Sequence, residues 1–125
     1  MIIVLTKYVD LPARAALSAV FTLSGISKAS AFEGTQSYME AFGLPGVLLG
    51  PTIAFEILAG LALLIGFKTR YVAFVLAGFS LATALVFHRD FADQVQQIMF
   101  LKNVAISGGL LLLAKTGAPQ FGIEK

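Results

Sequence analysis

Four stretches of the chain are continuously apolar, and its polar residues gather between them. They run over about residues 11–28, 46–67, 71–88 and 98–114. The second, Gly46 to Phe67, is the cleanest. About 22 residues at a 1.5 Å rise span about 30 Å, the hydrocarbon thickness of a bilayer. The others sit at the short end for a spanning helix, and their polar flanks extend them. In lipid only helices or closed barrels satisfy the backbone, and continuous apolar runs of this length are helices. The pattern therefore predicts an all-α protein, an integral membrane four-helix bundle forming a single domain over 1–125. A soluble bundle would need polar outer faces, and the third segment has almost none.

The connections punctuate the runs. Phe67-Lys68-Thr69-Arg70 reads as a tight cationic turn, and His88 to Asp93 as a charged loop. The link from Ala29 to Pro45 is long. Within it Ser37 and Glu40 have capping-box spacing, and Tyr38, Met39 and Phe42 are apolar. A short interfacial helix is expected there, between helices one and two and ended by Gly43 and Pro45. Lys7, Arg14 and the apolar stretch before Ala29-Ser30-Ala31 imitate a secretory signal. The charged region is too long for one and contains Asp10.

Composition agrees with a membrane chain. The protein is 58% hydrophobic and 13% charged, about half the charge of an ordinary soluble domain. Mean hydropathy is +0.87. There is no cysteine, which removes disulfides, thiolate metal sites and thiol redox chemistry. A single histidine, His88, cannot give bis-histidine haem ligation within one chain. No metal site is expected, because His88, Asp90 and Asp93 do not make a converging ligand set. The net charge of +2 is scattered, so nucleic acid is not an expected partner; the lipid bilayer is. Lys7, Arg14, Lys68, Arg70, Lys115 and Lys125 fall on one side of the bundle, against Lys28, Arg89 and Lys102 on the other. The positive-inside rule then places both termini in the cytoplasm.

The polar residues inside the runs carry whatever chemistry there is. Glu56 sits near the middle of an otherwise uncharged span, where a carboxylate costs about 2.5–3.5 kcal/mol on insertion scales. Such a residue needs a partner, a proton or a task. Lys102 and Lys28 are the first candidate partners; Arg14 lies nearer the opposite surface. Arg14, Ser18, Phe21, Gly25 and Lys28 share one helical face. That face reads either as a polar seam toward the bundle interior or as two cations anchored in opposite headgroup layers. Thr52, Glu56 and Gly60 share a face that permits close helix approach. Asn103 and Ser107 stand one turn apart, placed to hydrogen-bond across an interface. Arg14, Lys28, Glu56, Lys102 and Asn103 form the expected polar core or ligand site. No catalytic residue stands out.

In this order these residues resemble the DoxX family of small membrane proteins. The resemblance runs through Arg14, Phe21, Gly25 and Lys28, then Phe42-Gly43-Leu44-Pro45, then Glu56, Gly60 and Gly66-Phe67-Lys68-Thr69-Arg70. It closes on Phe100, Lys102-Asn103 and the glycines of helix four, covering about residues 11 to 117. It implies a four-helix bundle in the bacterial inner or plasma membrane. It implies as well an accessory subunit of quinone-linked or oxidant-defence redox metabolism, with protein partners or a homo-oligomer, rather than an enzyme on its own. A quinone is the one cofactor this reading suggests. Its site would be an apolar groove with Glu56, Lys102 and Asn103 as polar groups and Phe55, Phe74 or Phe100 as lining. The alternative is a small proton-coupled transporter or channel using Glu56.

Overall fold

A computed structural model describes residues 2–88 and 90–117, without the side chains of residues 2–8 and 10. Arg89 and Lys125, and the side chain of Lys7, lie outside what is described. Helix α1 spans Ile2–Ser30, α2 Phe32–Ala41, α3 Leu49–Ile65, α4 Thr69–Phe87 and α5 Gln94–Thr116, with a 3-10 turn at Gly46–Leu48 before α3. No strand occurs among the described residues. Three stretches are long and apolar enough to cross a membrane, namely Gly46–Ile65, Thr69–Phe87 and Gln94–Thr116. The fourth is α1 with α2, taken as one span bent by 100° at Ala31. The outer faces are apolar: Leu58, Phe74 and Leu112 are each about two-thirds exposed. That is a surface suited to lipid.

Helix ends follow local chemistry. Gly66 takes φ 76° and ends α3. Phe67 N–H donates to Ala62 O at 2.9 Å and Gly66 N–H to Leu63 O at 3.3 Å, a Schellman turn that favours glycine at this φ. Asp93 caps α5 by accepting from Val95 N–H at 3.0 Å. The short helix after α1 forms, but not from a capping box. It begins at Phe32, directly after Ala31, with no side-chain cap. Ser37 and Glu40 therefore lie inside it, and their spacing had no N-terminus to serve. Helix α1 also begins well before the predicted boundary near Leu11 and carries Pro12 within it. A proline inside a helix removes one backbone donor and need not end it when tertiary packing supports the helix.

The helices associate as two antiparallel pairs, α1 with α3 and α4 with α5. The α1–α3 contact is very close. A Cβ on Gly60 would lie 3.1 Å from both Ser18 O and Thr22 N and would collide with Thr22 Oγ1. On Gly25 it would lie 2.6 Å from the Ile57 side chain. Backbone cannot yield as a side-chain tip can. Gly60→Val is therefore expected to cost about 1–3 kcal/mol through overpacking, read by thermal unfolding in detergent. An unchanged midpoint would show that the helices separate freely.

The α4–α5 pair is joined by polar bonds. Ser107 Oγ donates to Ala77 O at 3.1 Å, and Asn103 Nδ2 to Thr83 Oγ1 at 3.1 Å. The predicted cross-helix role of Asn103 and Ser107 is met. The two pairs share a core of Phe21, Leu63, Ala73, Leu76, Ala77, Leu110 and Leu113. Most of it comes from the end of α3, the start of α4 and the end of α5. The pairs are thus closed together at that end, and α2 covers the other.

Candidate functional site

The polar seam of α1 faces inward along its whole length. Arg14, Ser18, Phe21 and Gly25 are all buried, so the reading of Arg14 and Lys28 as outward membrane anchors is overturned. Arg14 is fully buried. Its Nη1 donates to Leu63 O and Leu64 O, each at 2.9 Å. These are among the last carbonyls of α3, at the negative end of the helix dipole, and Leu63 O is otherwise met only by the long bond from Gly66 N–H at 3.3 Å. Arg14 thus caps α3 and does not approach Glu56.

Glu56 finds its partner in Lys28. Lys28 Nζ lies 2.7 Å from Oε1 and 2.9 Å from Oε2, and it also donates to Ser24 Oγ at 2.8 Å. The carboxylate side chain is 3% exposed and the lysine 30%. The geometry follows from helix direction. Lys28 leans back toward the N-terminus of α1, as helical side chains do, over Ser24 one turn earlier and across to Glu56. Lys102, the other candidate, is exposed on the outer face of α5 beside exposed Leu101 and Val104. It stands outside the site. One residue of register decides this, because Asn103, next in sequence, turns inward.

The pair lies at the side of a cavity of about 350 Å³ between the two helix pairs. Val20 and Phe21 of α1, Leu49 and Thr52 of α3, Phe79 and Ser80 of α4, and Ile106 of α5 line it. Lys28, Glu56, Thr83 and Asn103 supply polar groups, and Thr35, Tyr38 and Met39 of α2 lie across it. Helix α2 is held at its middle and toward its C-terminal end. Gln36 Nε2 donates to Gly46 O at 3.1 Å. The rings of Tyr38, Phe42 and Phe87 cluster with centroids 5.0–5.4 Å apart, Tyr38 stacked on Phe87 and Phe42 edge-on to Phe87. His88 borders the cavity and bonds to Gln96 through Nδ1 at 2.7 Å. Asp90 and Asp93 are used locally, accepting from Ala92 N–H and Val95 N–H.

The expected aromatic lining is corrected. Phe74 is exposed. Phe100 packs edge-on to Phe91, and Phe55 reaches the cavity only through Phe79, its T-shaped neighbour. The lining aromatics are Phe21, Tyr38, Phe79 and Phe87. Ser80 and Thr83 escaped the sequence reading too. Their signal was present: two hydroxyl residues three apart on one face of an apolar span. Lys68 and Arg70 lie away from the cavity. Both are exposed at the α3–α4 turn, where Lys68 takes φ 49°. The Arg70 side chain passes beside Gly117, at the end of α5.

Membrane-length helices around a buried ion pair and an apolar cavity define a multi-pass membrane protein. The DoxX family matches residues 9–89, and the chain belongs to that family. It is 47% identical to Inner membrane protein YqjF of Escherichia coli (strain K12), over 92% of this chain and 88% of that one. It is 35% identical to Inner membrane protein YphA of the same organism, over 90% of this chain and 86% of that one. No solved structure matches. The protein is thus a multi-pass inner membrane protein of the DoxX family.

Proposed function

We propose that this protein is an accessory subunit of membrane redox metabolism that binds a quinone-type ring in the cavity beside Lys28 and Glu56. The observation that carries the reading is that cavity. Its volume of about 350 Å³ falls within the range of small-molecule sites. Its walls are mainly apolar, with a few convergent polar side chains at one side. Phe79 and Phe21 suit a flat ring, and Lys28, Glu56, Ser80 and Asn103 suit ring oxygens. A bound quinone would supply reversible two-electron, two-proton chemistry. The chain's own residues would bind and orient the ring and exclude water, with Met39 and Tyr38 of α2 across the opening. Electrons would come from a protein partner, and association with one, or with further copies of the chain, belongs to the same proposal. The excess of Lys68, Arg70 and Lys115 at the α3–α4 turn end supports a cytoplasmic placement of both termini.

Proton-coupled transport through Glu56 remains the alternative, favoured by the same buried pair. It needs a path past Gly60, where the α1 backbone lies against α3. The test is mild-detergent purification with mass spectrometry of all retained proteins and lipids, followed by quinone rebinding. Retained or rebound quinone is the expected result. Protein that neither retains nor rebinds quinone would overturn the proposal. Proton flux into proteoliposomes that Glu56→Gln abolishes would establish the alternative instead.

A further inference from the structure

The cavity beside Lys28 and Glu56 is covered at both ends of the bundle and uncovered along one side. We infer that its ligand enters from the bilayer through a gap between α1 and α5, and that it is a long-chain amphiphile whose ring sits in the cavity while its chain lies in that gap. The inference rests on the quinone reading above and names within it the lipid-borne, long-tailed class and its route.

Most ways out of the cavity are blocked. The α1–α3 and α4–α5 sides are the tight contacts within each pair. At the end away from α2, the core of Leu63, Ala73, Leu76, Leu110 and Leu113 joins the two pairs. At the other end α2 crosses the mouth, with Gln36 Nε2 bonded to Gly46 O at 3.1 Å and Tyr38 stacked on Phe87. On the α3–α4 side the rings of Phe55 and Phe79 meet in a T-shaped contact, with centroids 5.3 Å apart. The α1–α5 side is different. Helix α2 packs on α1, α3 and the 3-10 turn, and not on α5 among the described residues. Helices α1 and α5 run in opposite directions and meet where Gly109 stands against Leu17. A Cβ on Gly109 would lie 3.8 Å from Leu17 Cδ2.

Beyond that contact, toward α2, the two helices stand apart. Three residues on from Leu17 is Val20, and three residues before Gly109 is Ile106. Both line the cavity, and Val20 is 42% exposed. Lys102 lies seven residues before Gly109, two turns along the same face of α5, and it is exposed. Met99, one turn further, is exposed as well. The face of α5 that meets α1 at Gly109 is therefore uncovered at Lys102. Val20, Ile106 and Met99 give the gap apolar walls, which admit a hydrocarbon chain and offer water no hydrogen-bond partner. The cavity itself, about 350 Å³, stands near the low end of small-molecule sites, roughly 300–1,000 Å³. It suits a ring with short substituents, and a long chain must lie outside it. In the gap such a chain meets the solvent it came from.

The experiment uses the full chain in detergent micelles. The probe is a benzoquinone carrying a photoreactive diazirine in a decyl chain, photolysed with and without excess plain decyl benzoquinone. Mass spectrometry then maps the labels. Labels at Val20, Met99, Ile106 and their neighbours that the competitor removes are the expected result. Val20→Trp fills the gap and should raise the half-maximal probe concentration about tenfold, the equivalent of about two methylene groups expelled. A second variant tests entry past α2. A Cβ on Gly46 would lie 3.4 Å from Gln36 Cβ, close to disulfide spacing, and the chain has no other cysteine. Gln36→Cys with Gly46→Cys therefore locks α2 in place, and the oxidised form should keep the wild-type labels. Competed labels on α2 or along the α3–α4 side overturn the α1–α5 route and leave the quinone reading standing. So does an unchanged half-maximal concentration in Val20→Trp, or loss of labelling in the oxidised but not the reduced double variant. If the competitor removes no label from the folded wild-type protein, both readings fall.

Discussion

Lys28→Met is expected to destabilise the protein by about 3–5 kcal/mol, the usual loss when one partner of a buried ion pair is removed. Glu56→Leu should cost less, about 1–2 kcal/mol, from the lost hydrogen bonds. The difference comes from unequal access to water. Glu56 is 3% exposed and fixed on a helix in the bundle interior, whereas Lys28 is 30% exposed and stands in the last turn of α1. A lysine freed from its partner can swing its long stem toward the cavity mouth and the headgroup layer. A glutamate freed from its partner has no such route. Its buried charge is left uncompensated. Denaturant unfolding in micelles reads the two losses. Equal losses for the two variants would show that Glu56 does not depend on Lys28.

Arg14→Met is the second large effect, with about 3–6 kcal/mol expected from the two hydrogen bonds that its charged donor makes to Leu63 O and Leu64 O, at roughly 1.5–3 kcal/mol each. The Schellman turn at Gly66 already engages Ala62 O and Leu63 O. Arg14 reinforces Leu63 O and adds Leu64 O, so its removal leaves the end of α3 poorly satisfied in an apolar setting. Arg14→Lys keeps the charge on a shorter stem without the planar fork and should recover only part of the loss. The loss should be localised. Hydrogen exchange should rise first in the last turn of α3 and in the turn to α4, with the Lys28–Glu56 end kept protected. Uniform exchange across all helices would instead mean that Arg14 holds the whole bundle and not one helix end.

Much of the architecture is legible in the chain itself. Continuous apolar runs punctuated by Gly66 and by the charged loop after His88 fixed the helices, because lipid leaves the backbone few alternatives. The shared face of Arg14, Ser18, Phe21 and Gly25 on α1 was legible too, since they follow the helical period, but whether it turned inward or anchored two cations in the headgroups was not. Periodicity places residues on a face; it does not say what stands opposite. Lys28 and Lys102 were equivalent partners for Glu56 in sequence, and α5 turns Lys102 outward by the rotation that turns Asn103 in. The role of Arg14 was hidden for a related reason. Its acceptors are backbone carbonyls, and every residue has one.

The sequence by itself determined the solvent, the helix positions and the polar residues that had to be resolved inside them, because burying a charge in hydrocarbon costs more than a chain can leave unanswered. Only the tertiary structure decided the pairing. It set α1 on α3 and α4 on α5, joined Lys28 to Glu56, sent Arg14 to the end of α3, and laid α2 across the cavity between the pairs. Those outcomes depend on helix rotation and register, and differences of one residue in either move a side chain from the interior to the lipid face.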